Sequence, residues 1–298
     1  MKNLHKLYRL KNNITSLSSI QEYPLDGRLF YVKRDDLIDP YLSGNKYRKL
    51  YTLIHTPESR FNTIISYGGT QSNAMLAIAA LCKTKGWRFE YYTKSLHIKE
   101  NPNSNYAMAR GLGMIHKELE EELYKDYISS LMLNLDEKSF VLHQGGADKS
   151  AKAGVEELAQ EIRESGLHIR SLATPSGTGT TALYLALALP EYKIYTTPAI
   201  GDKSYLIQQM SALEKIPENL IVLECEKKYH FAKPYKEFIE IYQKLKKGGI
   251  EFDLVYAPKL WKMILEKTDE EILYIHSGGT TGNVSMLERY RYKGLISV

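Results

Sequence analysis

The sequence predicts an α/β fold in two lobes, with mostly parallel sheets flanked by helices. Three observations predict it. Short apolar runs of the kind buried in parallel sheets, such as Thr63-Ile64-Ile65-Ser66-Tyr67, alternate with helical stretches. That alternation fills residues 48–139 and starts afresh at Phe140, which divides the chain into a small α/β lobe (48–139) and a larger one (1–47 with 140–298). Many strands open into loops of Gly, Ser and Thr, where open α/β sheets gather their ligands.

Taken in order, residues up to Arg28 read as an irregular lead-in broken by Pro24, Asp26 and Gly27. Leu29 to Arg34 is the first strand, and a loop through Asp35, Asp36, Pro40 and Ser43-Gly44 delivers Lys46 to a helix reaching Ile54. Strands follow at Thr63–Tyr67, Arg88–Thr93 and Met114–His116, with helices at Ala74–Lys83, Ser104–Leu112 and Leu119–Leu135. The second run has strands at Phe140–His143, Ser171–Thr174, Lys193–Thr197, Leu220–Leu223, Leu254–Tyr256 and Ile272–His276. Its helices include Ala151–Ser165, ended by Gly166, and Ala182–Leu189. The stretch Tyr235 to Tyr242 has helical spacing suited to packing.

Composition narrows the function. Of 298 residues 43% are hydrophobic, ample for a core, and the net charge of +5 is diluted along the chain instead of gathering into a block. The densest basic spots, Lys227-Lys228 and Lys244 to Lys247, read as solvated faces, so no nucleic-acid partner is expected. No segment approaches the roughly 20 apolar residues of a membrane span, and a cytoplasmic protein is expected. Cys82 and Cys225 lack the spacing of a disulfide framework or a metal site. The 23 tyrosines are scattered and read as packing.

The chemistry collects in three stretches. Ser176 to Thr181, between a strand and a helix, has the small residues and hydroxyls that let consecutive backbone N–H groups face a phosphate, although it lacks the Gly-Lys-Ser/Thr ending of a Walker loop and the GxGxxG of a dinucleotide fold. A tight turn holding no ligand is the plainer reading. Gly69 to Asn73 opens another helix, and either a helix cap at Ser72 or Asn73 or a carboxylate pocket explains it. Gly44-Asn45-Lys46 supplies an amine between them. His143 and His276, each before a double glycine, read as packed or backbone-bonded, and Asp35 and Asp36 read as caps or solvated charges rather than an acid–base pair.

The combination resembles the pyridoxal-phosphate enzymes of the tryptophan-synthase β-like group, fold type II, and within them the family of 1-aminocyclopropane-1-carboxylate deaminase and D-cysteine desulfhydrase. The resemblance is carried by Lys33-Arg34-Asp35-Asp36, Ser43 to Leu50, Gln71-Ser72-Asn73, Ser176 to Thr180, Val255-Tyr256 with Lys259, and His276 to Gly279, in the family's order along most of the chain. It implies that Lys46 holds pyridoxal 5'-phosphate as a Schiff base and afterwards serves as a base. It further implies that Asn73 bonds the ring hydroxyl, that Gly177, Thr178, Gly179 and Thr180 cradle the phosphate, and that Ser277 lies near the pyridine nitrogen. Gln71, Ser72 and Asn73 would receive the substrate carboxylate, with Ser72 and Tyr256 as further catalytic groups. The larger lobe would be the cofactor-binding domain, the substrate a small amino acid, and the assembly a homodimer.

Three positions depart from the family. Ala257 follows Tyr256 where cyclopropane deaminases carry Glu, Phe231 stands about where they carry Tyr, and Ala74 stands where desulfhydrases usually carry His. Ala257 and Phe231 rank cyclopropane deamination behind a desulfhydrase-like β-elimination giving ammonia and a 2-keto acid, and Ala74 leaves the identity of the substrate open. A racemase or dehydratase of the same fold, an inactive cofactor-binding or amino-acid-binding module, and a nucleotide-phosphate binder are the rival readings.

Overall fold

The computed structural model describes residues 18–42, 44–95, 102–133, 135–146 and 148–297. Ser43 of the lysine motif, the first 17 residues of the lead-in and residue 134 of an expected helix lie outside the described residues.

Two sheets form among the described residues. Six strands make the larger, β1 (Ile20–Leu25), β2 (Arg28–Lys33), β7 (Ser171–Ala173), β8 (Lys193–Thr196), β9 (Leu220–Val222) and β10 (Leu273–Ile275), in the spatial order β1-β2-β10-β7-β8-β9. The smaller contains β3 (Thr63–Tyr67), β4 (Arg88–Lys94), β5 (Ile115–Leu119) and β6 (Ser139–Leu142), in the order β5-β4-β3-β6. Every pairing is parallel except β1 with β2.

Side-chain alternation explains why both sheets carry helices on two faces. Leu172, Ile194, Leu273 and Ile275 enter one apolar cluster, with α6 (Ala151–Glu164) and α7 (Thr180–Ala188). Their neighbours Ala173, Tyr195, Ile272 and Tyr274 enter a second, with α10 (Ala257–Lys267). In the smaller sheet Ile64, Phe89 and Leu142 meet α3 (Asn73–Lys85), whereas Ile65, Tyr92 and Val141 meet α5 (Glu121–Leu133) through Ile128. Helix α3 is buried without a break from Ala74 to Cys82, so Cys82 is core. Each large apolar side chain so buried contributes about 1.5–3 kcal/mol.

Four expectations change. The lead-in contains β1, joined to β2 by a two-residue turn in which Asp26 and Gly27 both have positive φ (51° and 75°), the backbone an Asp-Gly hairpin demands. The helix expected to reach Ile54 is divided at Leu50 into α1 (Asn45–Lys49) and α2 (Tyr51–His55). The strand at 140–142, read as opening the larger lobe, pairs with β3 and so closes the smaller sheet. Leu254–Tyr256 is not a strand: the Leu254 amide donates to Asn283 Oδ1 (2.8 Å) and those of Val255 and Tyr256 to Asp253 Oδ1 (3.0 and 2.6 Å), which leaves none of them for a ladder.

Candidate active site

Lys46 lies on a short helix that is fixed from both ends. Before it, Gly44 has φ 58°, and a Cβ there would run into the Ser277 carbonyl, so only glycine lets α1 approach the loop after β10 this closely. The Asn45 amide then donates to Ser277 O (3.2 Å). Behind it, the fully buried Arg48 reaches Asp35 through Nε (2.9 Å) and Nη2 (2.8 Å), and Glu161 through Nη1 (2.6 Å) and Nη2 (3.0 Å). Lys33 donates to the same Glu161 at 2.6 Å. Asp35, read from the sequence as a cap or a solvated charge, is therefore a buried ion-pair partner, while Asp36 pairs with Arg34 at 2.8 Å.

Lys46 itself is half-buried and donates from Nζ to Asn45 Oδ1 (2.5 Å). Burial lowers its pKa to about 8, against the opposing pull of the Asp253 carboxylate. An amine at that value is unprotonated to about a tenth at pH 7, several hundredfold more than an ordinary lysine, which favours a nucleophile or base.

Asn73 and Ser72 stand at the start of α3. Ser72 is the helix cap, its Oγ accepting from the Met75 amide at 3.2 Å, and this uses a lone pair and not the hydroxyl hydrogen. Asn73 Oδ1 accepts from Asn105 Nδ2 (2.7 Å), which also reaches Gln71 O (3.2 Å), while Thr281 Oγ1 donates to Asn105 Oδ1 (3.0 Å). A Cβ on Gly279 would strike Asn73 Nδ2, so the side-chain amide faces the loop that carries the buried Ser277. Gln71 is exposed and meets this cluster through its backbone.

The loop from Ser176 to Gly179 leads into α7, whose cap residue Gly179 has φ 76° and provides no side-chain cap. Thr178 and Thr180 share a hydroxyl–hydroxyl bond (2.9 Å), and the buried Thr181 Oγ1 has no partner among the described residues. Lys49 Nζ donates to Thr178 Oγ1 (3.3 Å) and Gly145 O (3.0 Å). Burial first, and repulsion from Lys46 second, hold the Lys49 amine well below its ordinary pKa. Uncapped helix amides, an orphaned hydroxyl and a buried amine that an anion would recharge together fit a phosphate group.

Tyr256 closes the other side, since a Cβ at Gly177 would lie 3.4 Å from its Cε1 and 3.9 Å from its hydroxyl. Phe231 meets the Tyr256 ring edge-on (5.6 Å). The histidines are occupied elsewhere. His276 Nδ1 accepts from the Gly278 amide (3.1 Å), so Nε2 carries the hydrogen given to Glu251 O (2.9 Å), and His143 Nδ1 meets the Tyr67 hydroxyl (3.1 Å).

The expected residues thus lie on four loops that meet around α1. Lys49, Asn105 and Asp253 were missed. Lys49 follows Lys46 by three residues, one helical turn, a spacing that puts both on one side and could have revealed it. Nothing in the sequence marks Asn105 or Asp253.

Among curated proteins, a protein of Thermotoga maritima provisionally named 1-aminocyclopropane-1-carboxylate deaminase is 26% identical over 281 residues, covering 85% of this chain and 89% of its own. D-cysteine desulfhydrase of Serratia proteamaculans is 25% identical, with 89% and 90% covered. The chain resembles this family, as its motifs implied. The crystal structure of an ACC deaminase homologue superposes on 97% of the chain and 99% of its own, with a TM-score of 0.74 at 23% identity, so the α/β architecture of mostly parallel sheets flanked by helices is shared. No protein-family model matches the chain.

Proposed function

We propose that this chain is a pyridoxal-phosphate enzyme that removes the β-substituent of a small amino acid, as D-cysteine desulfhydrase does, and releases ammonia and a 2-keto acid. The observation that carries the reading is the pair of half-buried to buried amines one turn apart: Lys46, with a pKa near 8, and Lys49, bonded to the loop that opens α7. Lys46 is the residue to bind the cofactor aldehyde, and Gly177 to Thr180 with Lys49 the residues to hold its phosphate. Asn73, fixed by Asn105, is the residue to meet the ring hydroxyl, and Ser277 the one near the ring nitrogen.

When bound, pyridoxal phosphate supplies an electron sink for the substrate's α-carbon. The chain supplies the rest. Ser72 and the amides beside it orient the carboxylate, with Gln71 at the rim. Lys46, unprotonated, takes the α-proton, and Tyr256 is the residue to give the departing group a proton. Loss of that proton and departure of the β-substituent with its bonding pair leave an enamine, which water converts to a 2-keto acid and ammonia. Ala257 supplies no carboxylate and Phe231 no hydroxyl, so opening a cyclopropane, which has no α-proton to lose, lacks two of the groups it would draw on. A cytoplasmic homodimer completes the proposal.

The test is an absorption spectrum of the purified protein and of Lys46→Ala with added pyridoxal phosphate, then keto-acid assays with D-cysteine, L-cysteine, D-serine and 1-aminocyclopropane-1-carboxylate. The expected outcome is a visible band that requires Lys46, pyruvate from a cysteine or serine isomer, and no 2-oxobutyrate from the cyclopropane. A protein that stays colourless sinks the proposal. A coloured protein inert toward all four substrates favours the binding module, and one that only interconverts isomers favours the racemase.

A further inference from the structure

Asp253 has no part in the roles above, yet it lies three residues before Tyr256 and its carboxylate pulls on the Lys46 amine. It is 2% exposed, in the loop between α9 (Lys236–Lys247) and α10. One oxygen, Oδ1, accepts both the Val255 amide (3.0 Å) and the Tyr256 amide (2.6 Å). The amide before them, that of Leu254, is held by Asn283 Oδ1 (2.8 Å), and Asn283 in turn donates to Phe252 O (2.9 Å). Three successive amides leading to Tyr256 are therefore fixed by side chains.

That duty does not explain a carboxylate. An asparagine oxygen accepts the same two bonds without the cost of burying a charge. No cation lies within ion-pair distance of Asp253 among the described residues, since none of the ion pairs there includes it. The charged or titratable groups around it are Lys46 on α1, Tyr256 in its own loop, and His276 and Tyr274 on and just after β10. Of these, His276 is taken up by two backbone groups, Nδ1 accepting from the Gly278 amide and Nε2 donating to Glu251 O, and the tyrosines are pushed upward by burial and stay neutral. Burial pushes the Asp253 carboxyl above its ordinary pKa, and the Tyr256 amide, His276, the Val255 amide and Lys46 oppose that rise. Lys46 is the amine of the site on which its negative charge acts, and Lys49, one turn on, is itself held well below its ordinary pKa.

We propose that Asp253 is a positioning residue of this site, whose Oδ1 holds the backbone of Tyr256 in place and whose negative charge is the counter-charge of Lys46. Its value for catalysis rests on the function proposed above, but its two effects are properties of the chain.

Two variants separate them. Asp253→Asn keeps the acceptor and loses the charge, whereas Asp253→Ala loses both. The proton affinity of Lys46 is read on the full chain, without added cofactor, by competitive acetylation across pH and mass spectrometry of the peptide carrying Lys46. Both variants are expected to lower its midpoint, because an ammonium deprived of a nearby anion gives up its proton sooner, by about half a unit or more. Tyr256→Phe is the control and leaves it in place. Hydrogen exchange at the Val255 and Tyr256 amides is expected to stay slow in Asp253→Asn and to speed by about tenfold or more in Asp253→Ala. An unmoved midpoint in Asp253→Asn overturns the counter-charge, and that variant alone decides the matter if Asp253→Ala does not fold. Unchanged exchange in a folded Asp253→Ala overturns the hold on Tyr256. Neither measurement needs turnover, so an inactive protein would refute the proposed reaction and leave this inference standing or falling by itself.

Discussion

At the scale of single residues, the proposed function divides one cofactor between the two lysines of α1. On that proposal Lys46 would offer an amine to the aldehyde, and Lys49 an amine that the phosphate would recharge, its Nζ already 3.3 Å from Thr178 Oγ1. Their separation makes a prediction. Lys49→Ala removes an amine bonded to Thr178 Oγ1 and Gly145 O, so on the proposed role it should weaken retention of pyridoxal 5'-phosphate by about ten- to a hundredfold, the range of a lost charge-assisted bond, while leaving weak binding of unphosphorylated pyridoxal unchanged. Equilibrium dialysis with the two compounds checks it, and an equal loss for both would show that Lys49 serves the fold instead. Lys46 was singled out by its setting, since Gly-Asn-Lys alone reads as a solvated turn and only the neighbouring small-residue loops and the family resemblance gave it a role. Lys49 was not, since a lysine is ordinarily a solvated charge and its partner Thr178 is 129 residues away.

At the scale of elements, α1 is only five residues long and cannot hold its own place. It is positioned by the close approach of Gly44 to Ser277 on one side and by Gly154 of α6 on the other, where a Cβ would run into Arg48 O. Gly44→Ala would meet backbone and not a side chain that could swing away, at a φ of 58° that alanine rarely adopts. The expected result is a folded protein with the Lys46 helix displaced, stability lower by about 1–3 kcal/mol in urea unfolding, and cofactor absorbance largely lost. Normal absorbance in that variant would mean that the loop after β10 yields freely. Elements with a strong apolar period were legible in the sequence, as β3 shows by matching Thr63–Tyr67 at both ends. Where the reading failed, side chains had taken over the backbone: Asp253 and Asn283 hold the segment expected to be a strand. The β1–β2 hairpin is a different case, for Asp26-Gly27 was in view but was read as a break and not as a turn. The placing of β6 needed the pairing partner, because an apolar run does not say which sheet it joins.

At the scale of the molecule, a buried network of two cations and two carboxylates ties the larger sheet to the helix that carries Lys46. Lys33 lies on β2, Asp35 just beyond it, Arg48 on α1 and Glu161 on α6, and the four alternate in sign. Burial alone would raise the pKa of both Asp35 and Glu161, yet the charge and hydrogen bonds of Arg48, with Lys33 behind them, hold both below their ordinary values of 3.8 and 4.5. A carboxylate with a depressed folded pKa contributes stability that is complete above its unfolded pKa and is lost as pH falls through the folded one. The network should therefore stabilise the protein fully at neutral pH and begin to fail below about pH 4. Glu161→Gln leaves two buried cations facing a neutral amide, and removing one partner of such a set costs about 3–5 kcal/mol. Urea unfolding of parent and variant should differ by that amount at pH 7, and the gap should narrow as the pH drops below 4, because protonation then does to the parent what the substitution did to the variant. A gap that stayed constant into acid would assign the loss to packing around residue 161, and α1 would then owe its position to the glycine contacts alone.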